Sequence, residues 1–255
     1  MSANTEPFIK CIIKPDNNNL FGELSKSVVF EDIANGRKGA ILVDDCSDGL
    51  IPIVRTTTEY KKPAQKFCTT VRNISSKIKE ASKLPLKFNN AMIETYDYNY
   101  RTMGFHSDQA LDLSPNSYIC LFSCYEDDST EELRTLVIKD KISGKQCDIS
   151  LEHNSIVLWN LETNAKYLHK IILNPKYNKS NKWLGITFRL SKTFIRFIDE
   201  LPYIQPTNTQ LLTVATNEGK RREFYKLRAE ENKASEYKYP ELDYTISVSD
   251  TLPVL

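Results

Sequence analysis

Between Phe88 and Arg196 the chain breaks into six short runs of strand character: Ala91 to Tyr96, Ser117 to Tyr125, Thr135 to Lys139, Ser155 to Trp159, Leu168 to Leu173 and Trp183 to Leu190. Segments dense in Asp, Asn, Ser and Pro separate them, as turns require. Many short strands at regular spacing indicate a sandwich, barrel or jelly roll rather than a parallel α/β sheet. Ahead of them Val71, Ile74, Ile78 and Ala81 recur at helical spacing, with Thr70 as the expected cap and Pro85 as the stop, so residues 70–83 read as an amphipathic helix bracing a sheet. Behind them residues 217–231 interleave Lys220, Arg221, Arg222, Lys226 and Arg228 with Glu218, Glu223, Glu230 and Glu231, the pattern of a solvated helix. Tyr244 to Val248 alternate weakly, as an edge strand would, and the extreme C-terminus is expected to be loose. The fold class expected is α+β, in three parts: an N-terminal supporting region (1–87), a β core (88–200) and a C-terminal extension with one charged helix (201–255).

Composition narrows the function. With 34 basic and 33 acidic residues the net charge is +1, so no protein-wide field draws the molecule to nucleic acid or anionic lipid, and any such affinity must come from a local patch. No stretch approaches the roughly 18 apolar residues of a membrane span. Met1 to Lys10 lacks the basic flank and apolar core of a secretory signal, which places the expected location inside the cell, cytoplasmic or nuclear. The eight glycines form no phosphate-binding loop. Six cysteines (Cys11, Cys46, Cys68, Cys120, Cys124, Cys147) contain no C-x-x-C pair and read as buried free thiols.

Only three histidines are present, and one of them stands in His106-Ser107-Asp108. At i, i+2 on a strand end an imidazole and a carboxylate point the same way. A facial triad for non-haem Fe(II) needs two imidazoles and one carboxylate, leaving positions open for co-substrate and oxygen. The third ligand must be His153 or His169. His153 lies in a turn-like segment, whereas His169 sits in the apolar run Tyr167, Leu168, Ile171, Ile172, where a jelly roll can return a ligand to the first two; His169 is the preferred ligand. Twenty residues on, Arg189 alternates with Ile186 and Phe188, so it projects from one face of a strand. A buried guanidinium there needs an anionic partner, and its fork suits a carboxylate of a dicarboxylate co-substrate, with the Ser191 hydroxyl on the same face.

The ordered set His106-x-Asp108, His169 and Arg189 resembles the 2-oxoglutarate and Fe(II)-dependent dioxygenases, particularly their AlkB-like branch. Asn89 to Tyr96 looks like the strand ahead of that family's metal motif, Leu151-Glu152-His153-Asn154 like its segment before the distal histidine, and Ile186-Thr187-Phe188-Arg189 like its closing strand. The likeness spans about Phe88 to Ser191. It implies a double-stranded β-helix (jelly-roll, cupin-like) core with flanking helices, iron held by His106, Asp108 and His169, and 2-oxoglutarate held by Arg189 with Tyr96 as hydroxyl donor. Fe(II), 2-oxoglutarate and O2 are the cofactors it implies. Two positions depart from the family: Glu94 replaces the usual Asn two residues before the tyrosine, and Trp183 replaces a second arginine six residues before Arg189. Lys182, Lys170 or Ser191 are then the candidates to compensate, and Tyr98 or Tyr100 could join Tyr96.

The resemblance also implies a substrate. The segment ahead of the core in AlkB-like enzymes forms a lid over a base, so in Arg55-Thr56-Thr57-Thr58-Glu59-Tyr60-Lys61-Lys62, Tyr60 is expected to stack a base and Arg55 or the lysines to hold phosphate. An ordinary polar loop is an equal reading of that segment, and Asp127-Asp128 would repel a backbone. Partners left open are single-stranded or base-modified nucleic acid, which would make the enzyme an N-demethylase, and a protein or small-molecule substrate, which would make it a hydroxylase. A cupin-like binding module without turnover is the non-enzymatic alternative.

Overall fold

Antiparallel pairing, rather than helix packing, organises the chain. A computed structural model describes residues 7–16, 19–44, 48–129, 131–177 and 181–255; Cys46 lies outside them. In chain order the first elements are β1 (Ile9–Ile12), α1 (Leu20–Ser27), β2 (Glu31–Ala34), β3 (Arg37–Val43), β4 (Ile51–Pro52), β5 (Gln65–Lys66) and α2 (Thr69–Ser82). The core strands follow: β6 (Asn90–Tyr96), β7 (Tyr118–Tyr125), β8 (Arg134–Asp140), β9 (Gln146–Leu151), β10 (Ser155–Asn160), then α3 (Leu161–Lys166), β11 (Tyr167–Leu173) and β12 (Trp183–Arg189). The C-terminal part holds β13 (Phe194–Ile198), β14 (Leu201–Ile204), β15 (Gln210–Leu211), β16 (Thr213–Val214), α4 (Glu218–Lys233) and β17 (Tyr244–Thr245).

Two sheets face each other across the core. The larger runs β1-β10-β7-β12-β6-β3-β2, and the smaller runs β11-β8-β9. Residues 101–106 extend the smaller sheet, because Thr102 bridges Ile172 and His106 bridges His169 in antiparallel register. With β6, β12, β7 and β10 on one side and 101–106, β11, β8 and β9 on the other, the chain crosses between the sheets at every step from β6 to β12 except the β8–β9 hairpin, which is a double-stranded β-helix. Period-two alternation decides what each face buries. On β12, Leu184, Ile186 and Phe188 join Ile93, Phe122 and Ile156 beneath Leu24 of α1 and Val71, Ile74 and Ile78 of α2. The opposite face turns inward, where Trp183 and Tyr96 pack with Leu121, Leu136, Ile138, Val157 and Ile171 between the sheets.

Several local expectations need correcting. Thr70 does not cap α2; the cap position is Cys68, which makes no side-chain cap bond, and Thr70 Oγ1 donates instead to Glu23 Oε2 at 3.2 Å. Cys120 and Cys124 are buried free thiols, but Cys11 and Cys68 are only half-buried and Cys147 is exposed. Residues 218–233 are not a freely solvated helix: Phe224 is fully buried against Tyr244 and Ile246, and Arg228 and Glu231 are buried too. Tyr244–Thr245 form an edge strand of a two-stranded sheet, paired in parallel with Thr213–Val214, and are buried rather than exposed. The C-terminus is tied down, since Leu255 donates its N–H to the Ala64 carbonyl and accepts from the Lys66 N–H. Polar composition hid β9, whose residues are largely exposed.

Candidate active site

His106, Asp108 and His169 converge at one point of the inner face. One ligand atom from each lies within 4.8 Å of the others. The convergence follows from the ladder: His106 donates its backbone N–H to the His169 carbonyl (3.0 Å) and accepts from the His169 N–H (2.6 Å), so the two rings lie side by side with centroids 4.5 Å apart. His106 Nδ1 lies 3.0 Å from the Gly104 carbonyl, which leaves Nε2 as the outward nitrogen. The buried surroundings of the His106 ring, reinforced by His169, hold its imidazolium down to about 3, so the ring is neutral and able to ligate. Burial opposes ionisation of Asp108, but Arg189 and the hydrogen bond from His169 outweigh it and hold that carboxyl well below the usual range. Two imidazoles and one anionic carboxylate make a donor set that fits a divalent non-haem iron.

These groups stand on the wall of a cavity of about 540 Å³. Strand β6 contributes Met92, Glu94 and Tyr96, β12 contributes Thr187 and Arg189, and the smaller sheet contributes Leu136 and Ile171. Further wall comes from Thr56–Thr58, from residues 103–106 and from Tyr225, Arg228, Ala229 and Asn232 of α4. Arg189 contacts Asp108 Oδ2 from Nε at 2.7 Å and from Nη2 at 2.6 Å, and both side chains are buried. Tyr96 donates its hydroxyl to Glu94 Oε2. Glu94 also takes Arg37 Nε at 2.8 Å, and Tyr60 at 3.4 Å. A buried carboxylate at that wall is thus matched by a half-buried guanidinium that sequence reading had not marked: Arg37 is brought beside it by the β3–β6 pairing, in which Lys38 faces Thr95 and Gly39 faces Glu94.

Other expected site residues are placed elsewhere. Arg55 is not available to phosphate: it is 4% exposed and holds Asp112 through Nη2 (2.8 Å) and Nε (3.1 Å) while Nη1 donates to the Leu242 carbonyl. Tyr60 is 1% exposed and cannot stack a base, because β3 and the 247–249 segment enclose it, with Ser247 Oγ accepting from its N–H. Ser191 does not face the cavity; its hydroxyl donates to the Ile53 carbonyl at 2.6 Å, stitching β12's end to the β4 segment. His153 accepts from the Tyr125 N–H at 3.2 Å, away from the cluster. Nor does Lys182 compensate for the missing arginine, since it pairs with Glu126 at an exposed edge. Trp183, in that arginine's place, folds its indole over Gly185 and stacks on Tyr96 with centroids 4.8 Å apart. Tyr100 also packs against Tyr96, with centroids 4.6 Å apart, and lines the cavity.

A family model described as the 2OG-Fe(II) oxygenase superfamily matches residues 43–189, more than half of the chain. No curated protein matches the sequence. Among solved structures, the chain is similar to OsALKBH1 (11% identity over 74% of this chain and 100% of that one, TM-score 0.49). It is also similar to a prolyl hydroxylase of Trichoplax adhaerens in complex with a hypoxia inducible factor oxygen degradation domain peptide fragment (12% identity over 74% and 86%, TM-score 0.48).

Proposed function

The chain belongs to the 2OG-Fe(II) oxygenase superfamily, and on that premise we propose that His106, Asp108 and His169 hold the Fe(II), that Arg189 and Tyr96 bind the 2-oxoglutarate, and that the substrate enters between α4, Thr56–Thr58 and Phe105. The family's cofactors are Fe(II), 2-oxoglutarate and O2. Together they supply the oxidising power that turns a C–H bond into C–OH, with succinate and carbon dioxide as co-products. The observation that carries the assignment is the meeting of the three ligand atoms within 4.8 Å on the wall of the cavity that Arg189 and Tyr96 also line.

The protein's own residues orient and exclude water. Arg189 keeps Asp108 ionised and turned so that Oδ1, 3.4 Å from His169 Nε2, faces the cluster. No hydrogen bond to Arg189 Nη1 is found among the described residues, which leaves that corner of the fork for a co-substrate carboxylate. Leu121, Leu136 and Ile171 supply apolar wall to the cavity.

A base-modified nucleic acid, demethylated on nitrogen, is the substrate we propose first. What supports it is the mouth: Phe105 lines the cavity beside His106, with the Lys170 ammonium 4.4 Å and the Lys139 ammonium 5.6 Å from its ring centroid, an aromatic face next to two cations. Anaerobically loaded protein is expected to convert 2-oxoglutarate to succinate on admission of O2, and to release formaldehyde from methylated single-stranded oligonucleotides. Absence of iron-dependent succinate across oligonucleotides, peptides and small methylamines overturns the enzyme assignment. Turnover on a methylated peptide with none on oligonucleotides replaces the substrate.

A further inference from the structure

Helix α4 lies outside the span that matches the family, yet it holds the segment that carries two of the three metal ligands. From His106 through Asp108 there are six backbone hydrogen-bonding groups, and each has a partner. The N–H and carbonyl of His106 pair with His169 across the sheet. Those of Asp108 are taken by one side chain of α3: Asn164 Oδ1 accepts from the Asp108 N–H at 2.8 Å, and its Nδ2 donates to the Asp108 carbonyl at 2.7 Å. The middle residue, Ser107, is served by α4. Asn232 Oδ1 accepts from the Ser107 N–H (3.0 Å) and hydroxyl (3.2 Å), and Arg228 Nη2 donates to the Ser107 carbonyl. Three residues beyond Ser107, Glu231 Oε1 accepts from the Ala110 N–H at 2.8 Å, while its Oε2 holds Arg228 Nη1 at 2.7 Å and the Tyr239 hydroxyl at 2.7 Å.

The three α4 side chains are themselves fixed. Lys141, at the end of the β8–β9 ladder, donates to the Glu231 carbonyl (2.9 Å) and the Ala234 carbonyl (2.8 Å), anchoring the helix C-terminus to the smaller sheet. Near the N-terminal end of α4, Arg221 pairs with Glu59, and Phe224 is buried in a cluster of its own. Helical spacing puts Arg228, Glu231 and Asn232 on one face at i, i+3 and i+4, and that face covers Ser107.

We propose that α4 is a built-in clamp of the metal centre: Asn232 and Arg228, supported by Glu231, are positioning residues that fix the His106–Asp108 segment so that both ligands meet His169 before the metal arrives. This rests on the assignment of those three residues as the iron ligands. A ligand segment held this way loses little freedom on binding metal, and partners that orient ligands are worth roughly 10–100-fold in metal affinity. The clamp also explains why the C-terminal part, absent from the family match, is bonded into the cavity wall.

The test is Co(II) titration of the full-length apo-protein followed by visible absorption, with the thermal midpoint of the apo-protein measured in parallel. Ala is a better helix former than Asn, so Asn232→Ala should fold. It is expected to bind Co(II) about 10–100-fold more weakly and with an altered ligand-field spectrum, whereas the apo midpoint moves by only a few degrees. Asn232→Asp, which keeps the acceptor oxygen, is expected to restore the wild-type spectrum. Asn232→Leu, matched in size but without an acceptor, should reproduce the Ala result and serves if the Ala variant does not fold. Wild-type affinity and spectrum in the Ala or Leu variant overturn the clamp while leaving the ligand assignment intact. Failure of the wild-type protein itself to bind Co(II) overturns both.

Discussion

Arg189 closes on a single oxygen of Asp108, Oδ2, from Nε at 2.7 Å and from Nη2 at 2.6 Å. The geometry divides the carboxylate between two tasks, Oδ2 to the guanidinium and Oδ1 to the cluster with His169. A lysine at 189 keeps the charge but brings a single point donor that cannot span Asp108 and a second carboxylate at once. Losing one charge-assisted bond costs about 1.5–3 kcal/mol, so Arg189→Lys is expected to weaken 2-oxoglutarate binding by about 10–100-fold in anaerobic calorimetric titrations of the metal-loaded protein. Unchanged affinity removes Arg189 from the co-substrate site.

Arg55 and Asp112 form a buried pair, 4% and 0% exposed. Removing one member of such a pair strands the other charge, at a cost of about 3–5 kcal/mol. For a chain of this size each kcal/mol moves the thermal midpoint by about 2–4 °C, so Arg55→Ala should lower it by about 10 °C. The folded fraction should keep its 2-oxoglutarate affinity. Weaker oligonucleotide binding by a variant of undiminished stability would return Arg55 to the substrate site.

Gly185 makes a different kind of demand. A Cβ built there falls 2.1 Å from Cη2 of the Trp183 indole, itself 1% exposed and stacked on Tyr96. The indole is rigid and its neighbours are packed, so the clash is not relieved by a rotamer change. Gly185→Ala should destabilise the protein by about 1–3 kcal/mol in urea unfolding, as overpacked cores do. Combined with Trp183→Leu, which vacates the space, its cost should shrink, giving a coupling of about 1–3 kcal/mol. Simple additivity of the two changes would mean that the indole does not occupy that position.

What could be read in advance divides along physical lines. The six core strands were legible because β6, β7, β8, β10, β11 and β12 are buried runs of β-branched and aromatic residues between turn formers, and their observed bounds differ from the expected ones by about a residue. The clustering of His106, Asp108 and His169 was legible only in combination: the i, i+2 spacing of the first two is weak alone, and the apolar strand around His169 supplied the context. Arg55, Tyr60 and Ser191 were misplaced for a common reason: composition shows that a polar group needs a partner but not whether the partner is a ligand or the fold. Asp112, Glu94 and the Ile53 carbonyl, each distant in sequence, supply those partners. Helix α4 was missed as part of the site because its charges look solvated in one dimension. The burial of Phe224, Arg228 and Glu231 and the reach of Asn232 to Ser107 show which face turns inward.

Asp250 provides a handle on stability that is separate from the metal centre. Burial pushes its carboxyl up to about 7, with Asp112 adding to the rise and the Thr245 hydroxyl bond, 2.5 Å long, and Arg55 opposing it. In the unfolded chain the same group titrates near the ordinary carboxylate value of 3.8. Between these values the folded protein holds a proton that the unfolded chain has released, so this group's contribution is fully present below the lower value and is lost as the pH rises through about 7. Each unit of separation is worth about 1.4 kcal/mol, which makes the loss on the order of a few kcal/mol. Asp250→Asn stays neutral throughout, and its amide oxygen can still accept from Thr245. The variant is therefore expected to match wild type in thermal midpoint near pH 4 and to exceed it by several degrees at pH 8. Parallel curves for the two proteins across that range would mean that Asp250 is ionised in the fold, with Arg55 shared between two carboxylates.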